Sequence, residues 1–165
     1  MSSPGLSGLI QKYRKKGLLV DTNLLLLFLV GNLNPQLIAS SKRTRGFTVG
    51  DFELLKDFME SFDAIVTTPN ILTEVSNLAE FSGKIRSDYF KQFGISIAKF
   101  DERFFAAKGF CSENYFEKFG LTDTAIIHSS RDKYLVITDD FPLSNYLRTN
   151  DVDVINFTHL RLYNR

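Results

Sequence analysis

Residues 134–140 read YLVITDD, and this stretch decides the fold class. Its first five positions carry no polar alternation, which is the pattern of a strand buried on both faces, and such strands belong to parallel sheets covered by helices. A second run of the same kind, GLLVD at 17–21, also ends in an acid. Shorter strand candidates follow at 64–66 and 153–157. Between these runs the apolar residues recur at helical spacing. Helices are predicted over 24–30, over 51–62 with Asp51 as N-cap, from Pro69 to about 81, and over a long stretch from about 84 to 108. Two more are predicted over 123–130 and 142–149. Strands that alternate with helices predict an α/β domain with a mainly parallel sheet. The segment 31–50 holds Asn32, Asn34, Pro35 and a cluster of Lys42, Arg43 and Arg45, and reads as a loop or a loosely helical excursion. Residues 1–16 form a polar, basic lead-in with room for a short helix over 8–14. Residues 17–165 then form one folded domain.

Composition narrows the function classes. The chain has 165 residues and a formal net charge of +1, which suits one domain of roughly 100–200 residues. Hydrophobic residues at 44% are enough to bury a core, and 16 Phe make aromatic packing prominent. Cys111 is the single cysteine, so no intrachain disulfide and no cysteine-based zinc site can form. With only His128 and His159 beside it, any metal is expected on oxygen ligands. The basic residues Lys12 to Lys16 precede an apolar stretch, as in a signal peptide, but Asp21 and Asn23 interrupt it and its length falls below the ~20 residues of a membrane span. The expectation is a cytoplasmic protein with no membrane partner. Were five acids gathered in one site, the remaining surface would be basic despite the near-neutral total.

In open parallel α/β sheets the site lies beyond the carboxyl ends of the strands. Asp21 follows the first strand, and Asp139 and Asp140 follow the strand at 134–138. Acids distant in sequence are therefore expected on one edge. Asp21 equally suits a helix N-cap, and the adjacent Asp139 and Asp140 suit a strand-to-helix turn, although neighbouring like charges are easier to tolerate beside a cation. Glu74 falls on the margin of the buried stripe formed by Ile71, Val75, Leu78 and Ala79, where a carboxylate needs a partner. That partner is a metal ion or a nearby Lys or Arg. Asp123 begins a helix, alone or with Thr122 as its cap. His128 and His159 read as a helix residue and a tail residue rather than catalytic bases.

The strings LLVDTNLLLL, PNILTEVSNL, GLTDTAII and YLVITDDFPLSNYL together resemble those of the PIN-domain nucleases, and they span 18–147. The resemblance implies a three-layer α/β/α sandwich whose clustered acids bind Mg²⁺ or Mn²⁺ and cleave RNA, more rarely DNA. Carried over by position, Asp21, Glu74, Asp123 and Asp140 are the catalytic metal-site acids. Asp139 is then a supporting ligand or water-orienting residue, and Asn23 and Thr138 are polar residues behind the ligands. Homodimerisation and an inhibitory antitoxin-like protein partner are implied by resemblance alone. Independently of the family, Mg²⁺ is a hard cation that takes carboxylate oxygens. One ion, or two about 3.5–4 Å apart, would activate a water for attack on phosphorus. Phosphate binding is expected from Lys42, Arg43 and Arg45, with Lys84 and Arg86, unless these simply form solvated surface.

The chain is longer than the smallest VapC-type toxins, through its lead-in and the 31–50 excursion. Toxin, defence and RNA-processing roles are all open. The alternative from another class is a PIN-like module that binds RNA or a protein without cutting. A receiver-like phosphoacceptor domain is disfavoured because the paired acids come late in the chain. A Walker-type NTPase is excluded by the lack of a G-x-x-x-x-G-K-[ST] loop.

Overall fold

A computed structural model describes residues 5–131 and 133–164. The chain begins with α1 (Leu6–Tyr13), then β1 (Leu18–Val20), α2 (Thr22–Leu33), the single-turn α3 (Leu37–Ser40), α4 (Val49–Glu60) and β2 (Ile65–Thr67). It continues with α5 (Pro69–Leu78), α6 (Gly83–Ile97), the two-residue strand β3 (Asp101–Glu102) and α7 (Phe116–Ser130). Last come β4 (Leu135–Thr138), α8 (Phe141–Thr149), β5 (Val154–Asn156) and α9 (Phe157–Tyr163).

The five strands form one all-parallel sheet in the order β3-β2-β1-β4-β5. Leu18, Leu19 and Val20 of β1 pair with Leu135, Val136 and Ile137 of β4, and every one of these side chains is buried. This is the α/β/α sandwich expected of helices on both faces of a parallel sheet. From β1 the chain builds outward to β2 and β3, then crosses back to β4 and β5. Because parallel crossovers are right-handed, that reversal carries α7 and α8 to the face opposite α2, α4, α5 and α6. It also opens the crevice between β1 and β4, the position where such sheets hold their sites.

Helix α2 is apolar on every side. Leu24, Leu25, Leu26, Leu27, Leu29 and Val30 are all buried, because α2 lies beneath α3, α4, α5 and α6. Gly31 is what lets α4 approach: a Cβ there would run into the Phe52 ring. Gly17 enters β1 at φ +116°, and a Cβ on it would lie 2.7 Å from a Val66 methyl. The described part of the lead-in is packed rather than loose. Tyr13 is buried, and its hydroxyl and the Lys12 ammonium both donate to Asp153 Oδ2, at 2.8 and 2.6 Å. Residues 1–4 lie outside the described residues.

Several boundaries differ from the sequence reading. The long helix expected to run to 108 stops at Ile97, and residues 101–102 instead pair with Val66 and Thr67 as β3. Thr48, not Asp51, caps α4: the Asp51 amide donates to Thr48 Oγ1 and the Thr48 amide to Asp51 Oδ2, a capping box. The expected strand at 153–157 ends at Asn156, whose side chain caps α9 by accepting from the Thr158 and His159 amides. His159 is thus a helix residue, not a tail residue. The 31–50 excursion contains α3. Among the described residues, no helix is long and apolar enough to cross a membrane.

Candidate metal and phosphodiester site

Four elements bring acids to the carboxyl edge of the sheet. Asp21 leaves β1 and opens α2; Asp139 and Asp140 leave β4 and open α8; Glu74 comes from α5 and Asp123 from α7. Asp21 is buried. Its Oδ1 accepts the Leu24 amide at 3.0 Å, and its Oδ2 accepts the Thr138 hydroxyl and, at 3.2 Å, the Asp139 amide. The cap and the site are therefore compatible readings of Asp21: one oxygen caps α2 while the other ties β1 to β4. Asp140 behaves likewise. Its Oδ1 accepts the Leu143 amide at 2.7 Å and caps α8, while the side chain is exposed toward the edge.

Glu74 is held by two hydroxyls from different helices. Thr122 Oγ1 donates to its Oε1 at 2.5 Å and Thr22 Oγ1 to its Oε2 at 3.1 Å. Both threonines are buried. Glu74 is exposed rather than enclosed at the stripe's margin, and its partners are these hydroxyls, not a Lys or Arg; sequence reasoning missed Thr22 altogether. A hydroxyl is as common in a cap or turn as in a site, so the chain alone gives no signal for this role. Asn23 Nδ2 donates to Asp139 Oδ1 at 3.4 Å. Thr138 Oγ1, besides donating to Asp21, accepts the Asp140 amide at 3.0 Å. Asn23 and Thr138 thus each donate to one of the edge acids.

Asp123 stands apart. It does not cap a helix: Gly120 (φ 72°, ψ −174°) is non-helical and divides α7, and Asp123 lies in the first turn of the helical segment that begins just after it. It is partly buried and accepts no hydrogen bond among the described residues. Burial, then the charges of Asp140 and Glu74, push its carboxyl up to about 6. Burial, then Asp139, push Asp21 up to about 8 against the opposing hydrogen bonds from Thr138 and Leu24, with Asp123 adding to the rise. Asp139 is also raised, by burial first. The acids therefore feel one another's charge across the crevice.

All four ion pairs among the described residues lie elsewhere: Lys12 with Asp153, Arg14 with Asp63, Arg103 with Asp101, and Arg161 with Asp51. Among the described residues, Asp21, Glu74, Asp139 and Asp140 have hydroxyl and amide partners only, and Asp123 has none. In kind, this donor set fits a hard divalent ion: all oxygen, all anionic, none neutralised by a cation. In spacing it is more open than a ligand cage. Among the described residues, no group of three or more His, Cys, Asp or Glu is arranged to hold one metal ion.

The basic residues are not drawn into this crevice. Lys42, Arg43 and Arg45 are exposed in the turn after α3, and Lys84 and Arg86 are exposed in the first turn of α6, with the Arg86 guanidinium 4.6 Å from the Phe90 ring centre. No ion pair among the described residues joins any of them to an edge acid. The exposed His128 stands against the rings of Phe105 and Phe110, each centred 5.4 Å from its own. No family model, no curated protein and no solved structure matches this chain.

Proposed function

We propose that the protein is a metal-dependent nuclease that hydrolyses RNA phosphodiester bonds at the β1/β4 crevice, as its resemblance to PIN-domain nucleases implies. The observation that supports this reading best is the contrast at Asp123. Among the described residues, this partly buried carboxylate has no hydrogen-bond donor and no cationic partner, and it feels the charges of Asp140 and Glu74, an arrangement that is costly unless a cation or a proton joins it.

In this reading Asp123, Asp140 and Asp21 hold Mg²⁺ or Mn²⁺, with Asp139 and Glu74 beside them. When bound, such an ion supplies Lewis acidity toward the phosphate and lowers the pKa of a water. The chain's own residues do the rest. The clasp of Thr22 and Thr122 fixes Glu74, so that its remaining lone pairs can orient a water. Asn23 aims Asp139, and Thr138 locks Asp21 to the start of α8. Phosphate charge is met at the exposed basic residues Lys42, Arg43, Arg45, Lys84 and Arg86, which makes binding salt-dependent. Homodimerisation, an inhibitory protein partner and the choice among toxin, defence and processing roles remain proposals of resemblance.

A second reading, a PIN-like module that binds RNA or a protein without cutting it, is favoured by one observation: among the described residues, no three acids form a ligand group. Cleavage separates the two. Labelled single-stranded RNA and matched DNA are incubated with Mg²⁺, Mn²⁺ or EDTA, beside the Asp140→Asn variant. Asn caps a helix as well as Asp does, so the fold is retained. Metal-dependent RNA cleavage that is lost in the variant supports the enzyme. Binding without cleavage under every ion supports the silent module.

A further inference from the structure

Of the sixteen Phe in the chain, only Phe104 and Phe141 are exposed, at 77% and 62%. The other fourteen are buried or half-buried. Neither exposed ring belongs to the core or packs on it, and neither has an aromatic partner among the described residues. Their positions are not scattered. Phe141 follows Asp140 directly and opens α8, and Phe104 lies two residues beyond Glu102, which pairs with Thr67 at the end of β2. Both therefore leave the sheet at the carboxyl edge, the same edge as the acids. β3 and β4 are three places apart in the sheet, so the two rings depart on either side of β1 and β2, roughly 14 Å apart at strand spacing.

A single exposed ring is ordinary; what sets these two apart from the other exposed apolar residues is that both stand on the edge that carries the acids. Beside clustered carboxylates a phosphate can sit only with a cation between them, whereas a neutral, flat, aromatic group meets no such charge penalty. A nucleobase is such a group, and single-stranded nucleic acid presents it next to the phosphate that the acids would act on. Bases stack on aromatic side chains with little regard to sequence, since every base has a π-face.

We propose that Phe141 and Phe104 are the base-stacking residues of this site, gripping unpaired nucleotides on the two sides of the acid crevice. The proposal rests on the nuclease reading and adds to it the residues that bind the bases. Phe141, next to Asp140, stacks the base nearest the scissile phosphate. Phe104 stacks a more distant one.

The chain contains no Trp, so Phe141→Trp and Phe104→Trp each install a unique fluorophore. Each is titrated with an eight-nucleotide single-stranded RNA and with the abasic sugar-phosphate of equal length, in EDTA and in Mg²⁺, while wild-type binding is followed by filter retention. Stacking quenches or shifts the Trp emission with the RNA and not with the abasic strand. In cleavage, Phe141→Ala raises KM about tenfold and leaves kcat within a few-fold, Phe141→Tyr restores KM, and Phe104→Ala gives a smaller rise. Wild-type binding with no emission change in either Trp variant, or with equal response to the abasic strand, overturns the stacking role while leaving the nuclease reading standing. No binding of the RNA by wild type in either buffer overturns both.

Discussion

Two sets of buried or partly buried acids on this domain meet opposite electrostatic fates. Outside the β1/β4 crevice, acids meet cations: Asp153 receives Lys12 and the Tyr13 hydroxyl, and Asp51 receives Arg161 at 2.8 Å. Against the upward push of burial, Lys12 and Tyr13 hold the Asp153 carboxyl below its usual range. At the carboxyl edge of the sheet, Asp21, Asp139 and Asp123 are as enclosed but meet only hydroxyls, amides and one another, and all three are pushed up. The same residue type is used as a structural fastener in one place and kept as unspent charge in the other. These acids cap helices and tie strands, yet crowding their like charges costs stability, and that cost supports the proposal that the edge carries chemistry.

The largest effect that can sharpen this contrast is catalytic. Asp140→Asn keeps the α8 cap but removes an exposed edge charge, and it should lower metal-dependent RNA cleavage by on the order of 10²–10³-fold, with an unchanged circular dichroism spectrum. Cleavage within a few-fold of wild type would place the chemistry elsewhere.

Next comes the fastener. Arg161→Ala strips a buried carboxylate of its cation and should destabilise the protein by roughly 2–4 kcal/mol in urea unfolding, with no change in metal response. A loss below about 0.5 kcal/mol would mean that Asp51 is satisfied by the Thr48 amide alone.

The opposite sign is expected at the edge. The folded-state pKa of Asp123 lies near 6, above the unfolded value of 3.8, so the folded chain binds the extra proton. Its contribution is fully present below about pH 4 and is lost as the pH rises through 6. Asp123→Asn should therefore stabilise the metal-free protein by on the order of 1–2 kcal/mol at pH 8 and by little at about pH 4. Thermal melts at the two pH values read this directly; a variant that is destabilised at the higher pH would show that Asp123 has a partner after all.

Smallest is the clasp. Thr122→Val keeps shape and removes the 2.5 Å hydrogen bond to the exposed Glu74, and should cost about 0.5–1 kcal/mol in stability. Thr122→Ser should recover most of it. Equal losses in the Val and Ser variants would assign the effect to packing of the methyl group instead.

These tests concern a site that was legible in the chain to different depths. The strands at 18–20 and 135–138 could be read because a run of apolar residues without alternation, too short for a helix, suits little besides a strand covered on both faces. Each ended in an acid, so the crevice between β1 and β4 was legible with them. Strand β3 was not. Asp101 and Glu102 carry no apolar pattern; they become a strand only because Val66 and Thr67 offer backbone partners, and the helical spacing of Tyr89, Phe93 and Ile97 continues visually into Phe100. The helix expected over 123–130 is the part of α7 beyond Gly120, whose non-helical backbone (φ 72°, ψ −174°) separates it from a short helical segment at 116–119 that the sequence does not show. Glu74 stood out as a carboxylate on a buried margin, but its partners are threonine hydroxyls from α2 and α7. Such partnerships depend on how three helices meet, which no local pattern encodes.

The contrast between neutralised and unspent acids is tested most directly by metal binding itself. Purified wild-type protein and the Asp123→Asn variant are titrated with Mn²⁺ at about pH 8, with bound ion counted by electron paramagnetic resonance and stability followed by thermal melting. Stoichiometric binding that raises the wild-type Tm, and is lost in the variant, is the expected result. A wild-type Tm and free-Mn²⁺ signal unchanged by the protein would contradict it, and would leave the edge acids as charge without a cation to meet.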